Sequence, residues 1–158
     1  MTQFVSYSKS IHFSSDESPN YVNHPVNSFH LMERTVFISG IIPEIKKVLP
    51  NLKFDIDGES LLHDYKRAHH GLADLHEFMN LSTEDIANGI IRDEVANKTF
   101  VANSGLNAIN LVNIAKEAED VFYVQGLVNW FKAALKRSET EASTGSMKYN
   151  QQFLDNIK

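Results

Sequence analysis

There is no cysteine among the 158 residues, which excludes disulfide frameworks, thiolate zinc sites and cysteine nucleophiles together. No apolar run approaches the roughly 18 residues of a membrane span. The first thirty residues lack the charged start and apolar segment of a secretory leader. Lysine and arginine total 15 against 20 acidic residues, for a formal charge of -5, and no basic run occurs. Nucleic-acid affinity rests on neutralising phosphates, so neither nucleic acid nor a membrane is an expected partner. The seven glycines are scattered and form no phosphate-cradling loop.

What is present is helical periodicity. Leu61, Tyr65, Ala68, Leu72, Leu75 and Met79 are spaced 4, 3, 4, 3, 4, the seam of one amphipathic helix. Asp57-Gly58 is a turn signal ahead of it. Beyond Asn80, Ser82 stands as an N-cap with Asp85 three residues on, opening a shorter helix through Ile86, Ile90 and Ile91.

Upstream, residues 1–23 are rich in Ser, Asn and Tyr and read as an irregular arm. Pro25 suits the first turn of a helix with Phe29, Met32, Val36 and Phe37 on its apolar face. Gly40 and Pro43 are expected to bend or divide that helix, and Pro50 to end it. Downstream, 92–103 reads as a polar linker. Ser104 is the expected cap of a helix carrying Leu111, Ile114, Ala115 and Ala118. After a break at Asp120 to Tyr123 the stripe resumes as Leu127, Phe131 and Ala134, the pattern of one tetratricopeptide hairpin, with Leu127 where Ala is usual. Ser138 to Ser146 reads as a linker and Lys148 to Ile157 as a terminal helix. No strand is expected. The fold class is all-α: an arm at 1–23, a helical region at 24–91, the linker at 92–103 and a partial tetratricopeptide region at 104–158.

Four of the seven histidines, His63, His69, His70 and His76, fall on the long helix. His63 to His70 and His69 to His76 are each seven apart, roughly 10 Å at 1.5 Å per residue, too far for one ion. His70 and Asp74 have ligand spacing, but two donors make no site, so solvated or interface histidines are expected. The residues two places after the histidines are Ser14, Val26, Met32, Tyr65, Gly71, Leu72 and Phe78, so the His-x-acid element of the iron oxygenases is absent. No metal site and no catalytic residue is assigned.

Two readings stay open for the aromatic residues Phe122, Tyr123, Trp130, Phe131 and Tyr149. One is core, above all for Phe131 and in part for Trp130. In the other, Tyr123 and Tyr149 line a groove for a proline-rich peptide, because Tyr rings stack on pyrrolidine and offer a hydroxyl to exposed backbone. Two glycosylation triplets, Asn80-Leu81-Ser82 and Asn97-Lys98-Thr99, permit a secretory life without demonstrating one.

The segment NHPVNSFHLMER, Asn23 to Arg34, resembles the HPVN-aromatic-Leu-Met segment of the α-subunit of collagen prolyl 4-hydroxylase. In the same order, Gly58 to Gly89 with its closing LSTEDIANG, the WFKAAL of Trp130 to Leu135, and GSMKY from Gly145 to Tyr149 resemble further blocks of that family. The resemblance implies a non-catalytic N-terminal and peptide-binding portion of a procollagen-proline 4-dioxygenase, with Tyr149 and Tyr123 as peptide-binding residues. It implies proline-rich, collagen-like chains as partners, an α-subunit dimer, protein disulfide isomerase as β-subunit, and the endoplasmic reticulum lumen as location. Fe(II), 2-oxoglutarate and ascorbate are implied only for the full-length enzyme. Departures are Ser146 for Asn, Ala142 for Arg, Gln152 for Tyr, the lack of cysteine, and the apparent loss of a leading helix, a signal peptide and a second tetratricopeptide hairpin. The alternatives are a fragment or short gene model of a working dioxygenase, and a degenerate paralogue serving only subunit association.

Overall fold

The structure, a computed structural model, describes residues 21–51, 53, 57–119 and 124–144. They form helix α1 (Pro25–Val48), helix α2 (Gly58–Phe78), the short helix α3 (Thr83–Ala87), strands β1 (Ile90–Asp93) and β2 (Lys98–Val101), and helices α4 (Ala108–Glu119) and α5 (Val124–Thr144). The all-α class holds, with one small antiparallel hairpin set into it.

Helices α1 to α4 each start where the chain supplies a cap. His24 caps α1, its Nδ1 accepting from the Val26 N–H at 3.2 Å, with Pro25 in the first turn. Asp57 caps α2 by accepting from the Glu59 and Ser60 N–H groups. These bonds favour the ionised Asp57 carboxylate and, with the Ser60 hydroxyl first among them, hold its pKa below the ordinary value. Ser82 caps α3 through the Asp85 N–H, as its place before Thr83-Glu84-Asp85 implies. At α4 the cap is Asn107, not Ser104: the Asn107 side chain accepts from the Asn110 N–H at 2.8 Å.

Expectations about helix limits are corrected as well. Pro43 does not divide α1, which runs through it for 24 residues. Pro43 is exposed, while Val36 and Ile42 of the same helix are buried. An interior proline costs about 3 kcal/mol, and two buried aliphatic side chains at about 1.5–3 kcal/mol each offset it. Pro50 does follow the helix end, where the Leu49 N–H closes on the Ile45 carbonyl. Secondly, α5 continues to Thr144 and takes in most of the Ser138 to Ser146 linker. Its Ser and Thr hydroxyls return to carbonyls three and four residues back, as Ser138, Thr140, Ser143 and Thr144 do. Thirdly, the short helix closes at Ala87, and Ile90 and Ile91 belong to β1.

The hairpin occupies most of the expected linker. Ile90 pairs with Val101, Ile91 with Phe100, Arg92 with Thr99 and Asp93 with Lys98, leaving Glu94 to Asn97 as the turn. Asp93 accepts from the Ala96 N–H at 2.8 Å, and Asn97 takes the left-handed conformation that Asn tolerates. Gly89 feeds β1 at φ +74°, with an added Cβ falling 2.8 Å from the Ala102 Cβ and 2.9 Å from the Ser104 carbonyl oxygen. Only glycine fits both the backbone and the space.

One hydrophobic cluster joins these elements: Val26 and Phe29 of α1, Tyr65 and Leu72 of α2, Ile86 of α3, Leu106, and Leu111, Ile114, Ala115, Trp130 and Ala134 of α4 and α5. Helices α4 and α5 run antiparallel. Glu141, late in α5, accepts from the Ala108 N–H at the start of α4, while Ala118, late in α4, lies beside Gly126 and Trp130 at the start of α5. Trp130 is fully buried and Phe131 is 44% exposed, the reverse of the order expected for core. Among the described residues, no helix is long and apolar enough to cross a membrane.

Candidate functional site

A groove of about 1510 Å³ opens between the start of α1, the corner joining α2 to α3, and the hairpin. Three local features shape it. His24 and Pro25, at the capped start of α1, form one end. Met79 and Asn80 form a second wall, Asn80 standing at φ +49° where α2 breaks. The corner is closed beneath them by His76, whose Nδ1–H donates to the Leu81 carbonyl at 2.6 Å and whose ring meets Trp130 edge-on at 5.8 Å. Phe100 and Val101 of β2 supply the third wall, and these residues and Met79 are exposed.

Side chains of Asn27 and Arg92 help hold the hairpin to the helices. Asn27 donates from Nδ2 to Asn103 Oδ1 at 3.3 Å and accepts from the Asn103 N–H at 3.0 Å. Arg92 of β1 pairs with Asp85 of α3, Nε to Oδ2 at 2.8 Å, and that hydrogen bond and charge raise the Arg92 pKa. Tyr21 rests on α1, its hydroxyl accepting from Arg34 Nη2 at 2.6 Å. Burial lowers the His24 pKa against the opposing pull of the Phe100 carbonyl, so the ring favours the neutral form that can accept from Val26.

Behind the groove lies a buried polar junction. His30 donates from Nε2 to the Gly105 carbonyl at 3.2 Å and turns Nδ1 to Glu33 at 3.3 Å. His69 of α2 donates from Nδ1 to the Tyr65 carbonyl at 2.9 Å and lies edge-on to Phe29 at 4.8 Å. Burial lowers its pKa, with the Tyr65 carbonyl and the Glu33 charge opposing. The Tyr65 hydroxyl reaches Asn110 of α4 at 3.5 Å. These contacts tie α1, α2 and α4 into the platform that carries the groove.

Of the histidines on α2, His69 is an interface side chain, His63 is exposed, and His70 meets Asp74 at 3.6 Å as a partly exposed pair. Among the described residues, no three His, Cys, Asp or Glu side chains gather as metal ligands. The described residues do not offer the ligand set that the iron of a dioxygenase needs. Tyr123 and Tyr149 lie outside the described residues, as do Phe122, Ser146, Gln152 and the expected terminal helix; Ala142 is exposed on α5.

The groove's residues escaped the sequence reading. Its hairpin wall falls within 92–103, which reads as a polar linker, and the available signal is the β-branched and aromatic run Lys98-Thr99-Phe100-Val101 after an Asn turn. The groove is larger than the 300–1,000 Å³ usual for small-molecule pockets, and its walls offer exposed apolar side chains beside the polar edge of a strand. That combination suits a length of extended polypeptide.

The model of the prolyl 4-hydroxylase alpha-subunit N-terminal region matches residues 1–93. No curated protein and no solved structure matches the chain. The matched stretch contains α1, α2, α3 and β1, and so most of the groove. With more than half of its length under that match, the chain belongs to the prolyl 4-hydroxylase alpha-subunit N-terminal region family.

Proposed function

We propose that this chain is a non-catalytic binding portion of a procollagen-proline 4-dioxygenase α-subunit, holding proline-rich, collagen-like chains for hydroxylation by a separate catalytic domain. The observation that carries the reading is the family match over 1–93. Two features support it: an open groove walled by Tyr21, Pro25, Met79 and Phe100, and an antiparallel pair of helices, α4 and α5, with small residues at their contact. Proline-rich segments adopt the polyproline II conformation without internal hydrogen bonds, so they present both carbonyls and flat rings to such a surface at small entropic cost.

In this reading α4 and α5 are a tetratricopeptide hairpin, Tyr123 and Tyr149 are the peptide-contacting residues, and the working location is the endoplasmic reticulum lumen. An α-subunit dimer and a protein disulfide isomerase β-subunit complete the assembly, and Fe(II), 2-oxoglutarate and ascorbate serve the catalytic domain. Titration with a proline-glycine repeat peptide tests it: saturable binding that weakens in Tyr149→Ala supports it, and no binding at millimolar peptide overturns it. The exposed Met79, Phe100 and Val101 favour one rival, a chain that serves only subunit association. A dimer that ignores every proline-rich peptide would be its signature.

A further inference from the structure

The structure assigns Asn97 as an N-glycosylation acceptor, an inference that rests on the luminal location proposed above. Asn97-Lys98-Thr99 is an acceptor triplet. The fold sets it at the exposed end of the hairpin: Asn97 is the last residue of the turn at φ +49°, and Thr99 lies in β2. All residues from Arg92 to Val101 are exposed, with Val95 at 100%. Neither the Asn97 amide nor the Thr99 hydroxyl has a hydrogen-bond partner among the described residues. A transferase can reach both side chains without opening the core, since the turn and the second strand that carry them are exposed throughout.

The second triplet lacks these properties. Asn80 is exposed, but the Leu81 N–H bonds to the His76 carbonyl at 3.1 Å, the Leu81 carbonyl takes the His76 ring, and Ser82 is committed to capping α3. Drawing that triplet into an extended pose would dismantle the corner joining α2 to α3.

The transfer balances with a lipid-linked oligosaccharide diphosphate as donor. The Asn97 Nδ2 forms a bond to the anomeric carbon, the bond from that carbon to the diphosphate oxygen breaks, and the lipid diphosphate leaves with the electron pair. The amide proton passes to a base of the transferase, and nothing is oxidised or reduced. Thr99 lines the groove and Asn97 does not, so the glycan stands beyond the rim and leaves the groove open to a peptide.

The test directs the full chain into the lumen of a eukaryotic cell with an added secretory leader. Its mass is read before and after peptide-N-glycosidase, in material that protease protection shows to be luminal. The expected result is one glycan, removed by the glycosidase, absent in Asn97→Asp and Thr99→Ala, kept in Thr99→Ser and kept in Asn80→Asp. Asp preserves both the shape and the turn conformation, so a loss in that variant does not reflect misfolding. A protected chain of unshifted mass, or a glycan that persists in Thr99→Ala, overturns the assignment. Because the leader supplies the address, these outcomes concern the acceptor alone; fractionating cells that express the chain from its own gene tests the luminal location separately.

Discussion

Asn27 and Asn103 exchange two hydrogen bonds across 76 residues of chain, one from the Asn27 amide and one from the Asn103 backbone N–H. A single side chain in the first turn of α1 thereby fixes where the hairpin returns to the helices. Asn27 is buried, so Asn27→Ala leaves the Asn103 N–H without that acceptor at a cost of about 1–3 kcal/mol. Urea denaturation measures the loss, and amide exchange is expected to quicken most at Phe100 to Asn103. An unchanged midpoint would mean that the hairpin is held by other contacts.

Trp130 and Phe131 separate core from surface within one dipeptide. Trp130→Ala is expected to cost about 3–5 kcal/mol, because the ring is fully buried against His76 and the α4 helix. Phe131→Ala is expected to stay within about 1 kcal/mol. As the chain has one tryptophan, the shift of its fluorescence to longer wavelength on denaturation follows the same site directly.

Gly89 and Gly71 make a paired test of backbone conformation. Gly89→Ala meets a positive φ and two contacts below 3.0 Å, and is expected to destabilise by more than about 1 kcal/mol. Gly71 is exposed inside α2 with open space around its Cα, and Gly71→Ala is expected to stabilise by about 0.5–1 kcal/mol. Thermal unfolding of the two variants should move in opposite directions.

Acidification should destabilise the fold through His69 and His24. Burial holds both folded pKa values below the ordinary histidine value of 6.5. The unfolded chain therefore binds more protons in the window below 6.5, and unfolding free energy rises with pH across it. The contribution is complete above 6.5 and is lost as pH falls through that value toward the folded pKa. His69 is packed against Phe29 and Tyr65, with Glu33 as the facing charge. Urea midpoints at pH 7.5 and 5.5 measure the slope, and His69→Phe should flatten it.

The helices were legible because their signals are local. The Leu61 to Leu75 seam, the Ser82 cap and Pro25 each dictate backbone geometry within a turn or two. The hairpin was not legible for a physical reason. Ile86 and Ile90 stand four apart, so the first strand imitates the continuation of a helical stripe, and the pairing that makes it a strand lies with residues up to 11 positions away. The same reason hid the groove, whose walls come from four separate segments. Trp130 and Phe131 differ by one step of 100° around a helix, a rotation that adjacent apolar residues do not specify until the partner helices are in place.

Titration of the full chain with a labelled proline-glycine repeat peptide measures the proposed binding of a proline-rich chain most directly. Saturable binding, weakened by Tyr149→Ala and unmatched by a scrambled peptide of low proline content, is the expected result. A flat titration at millimolar peptide by folded protein would contradict it.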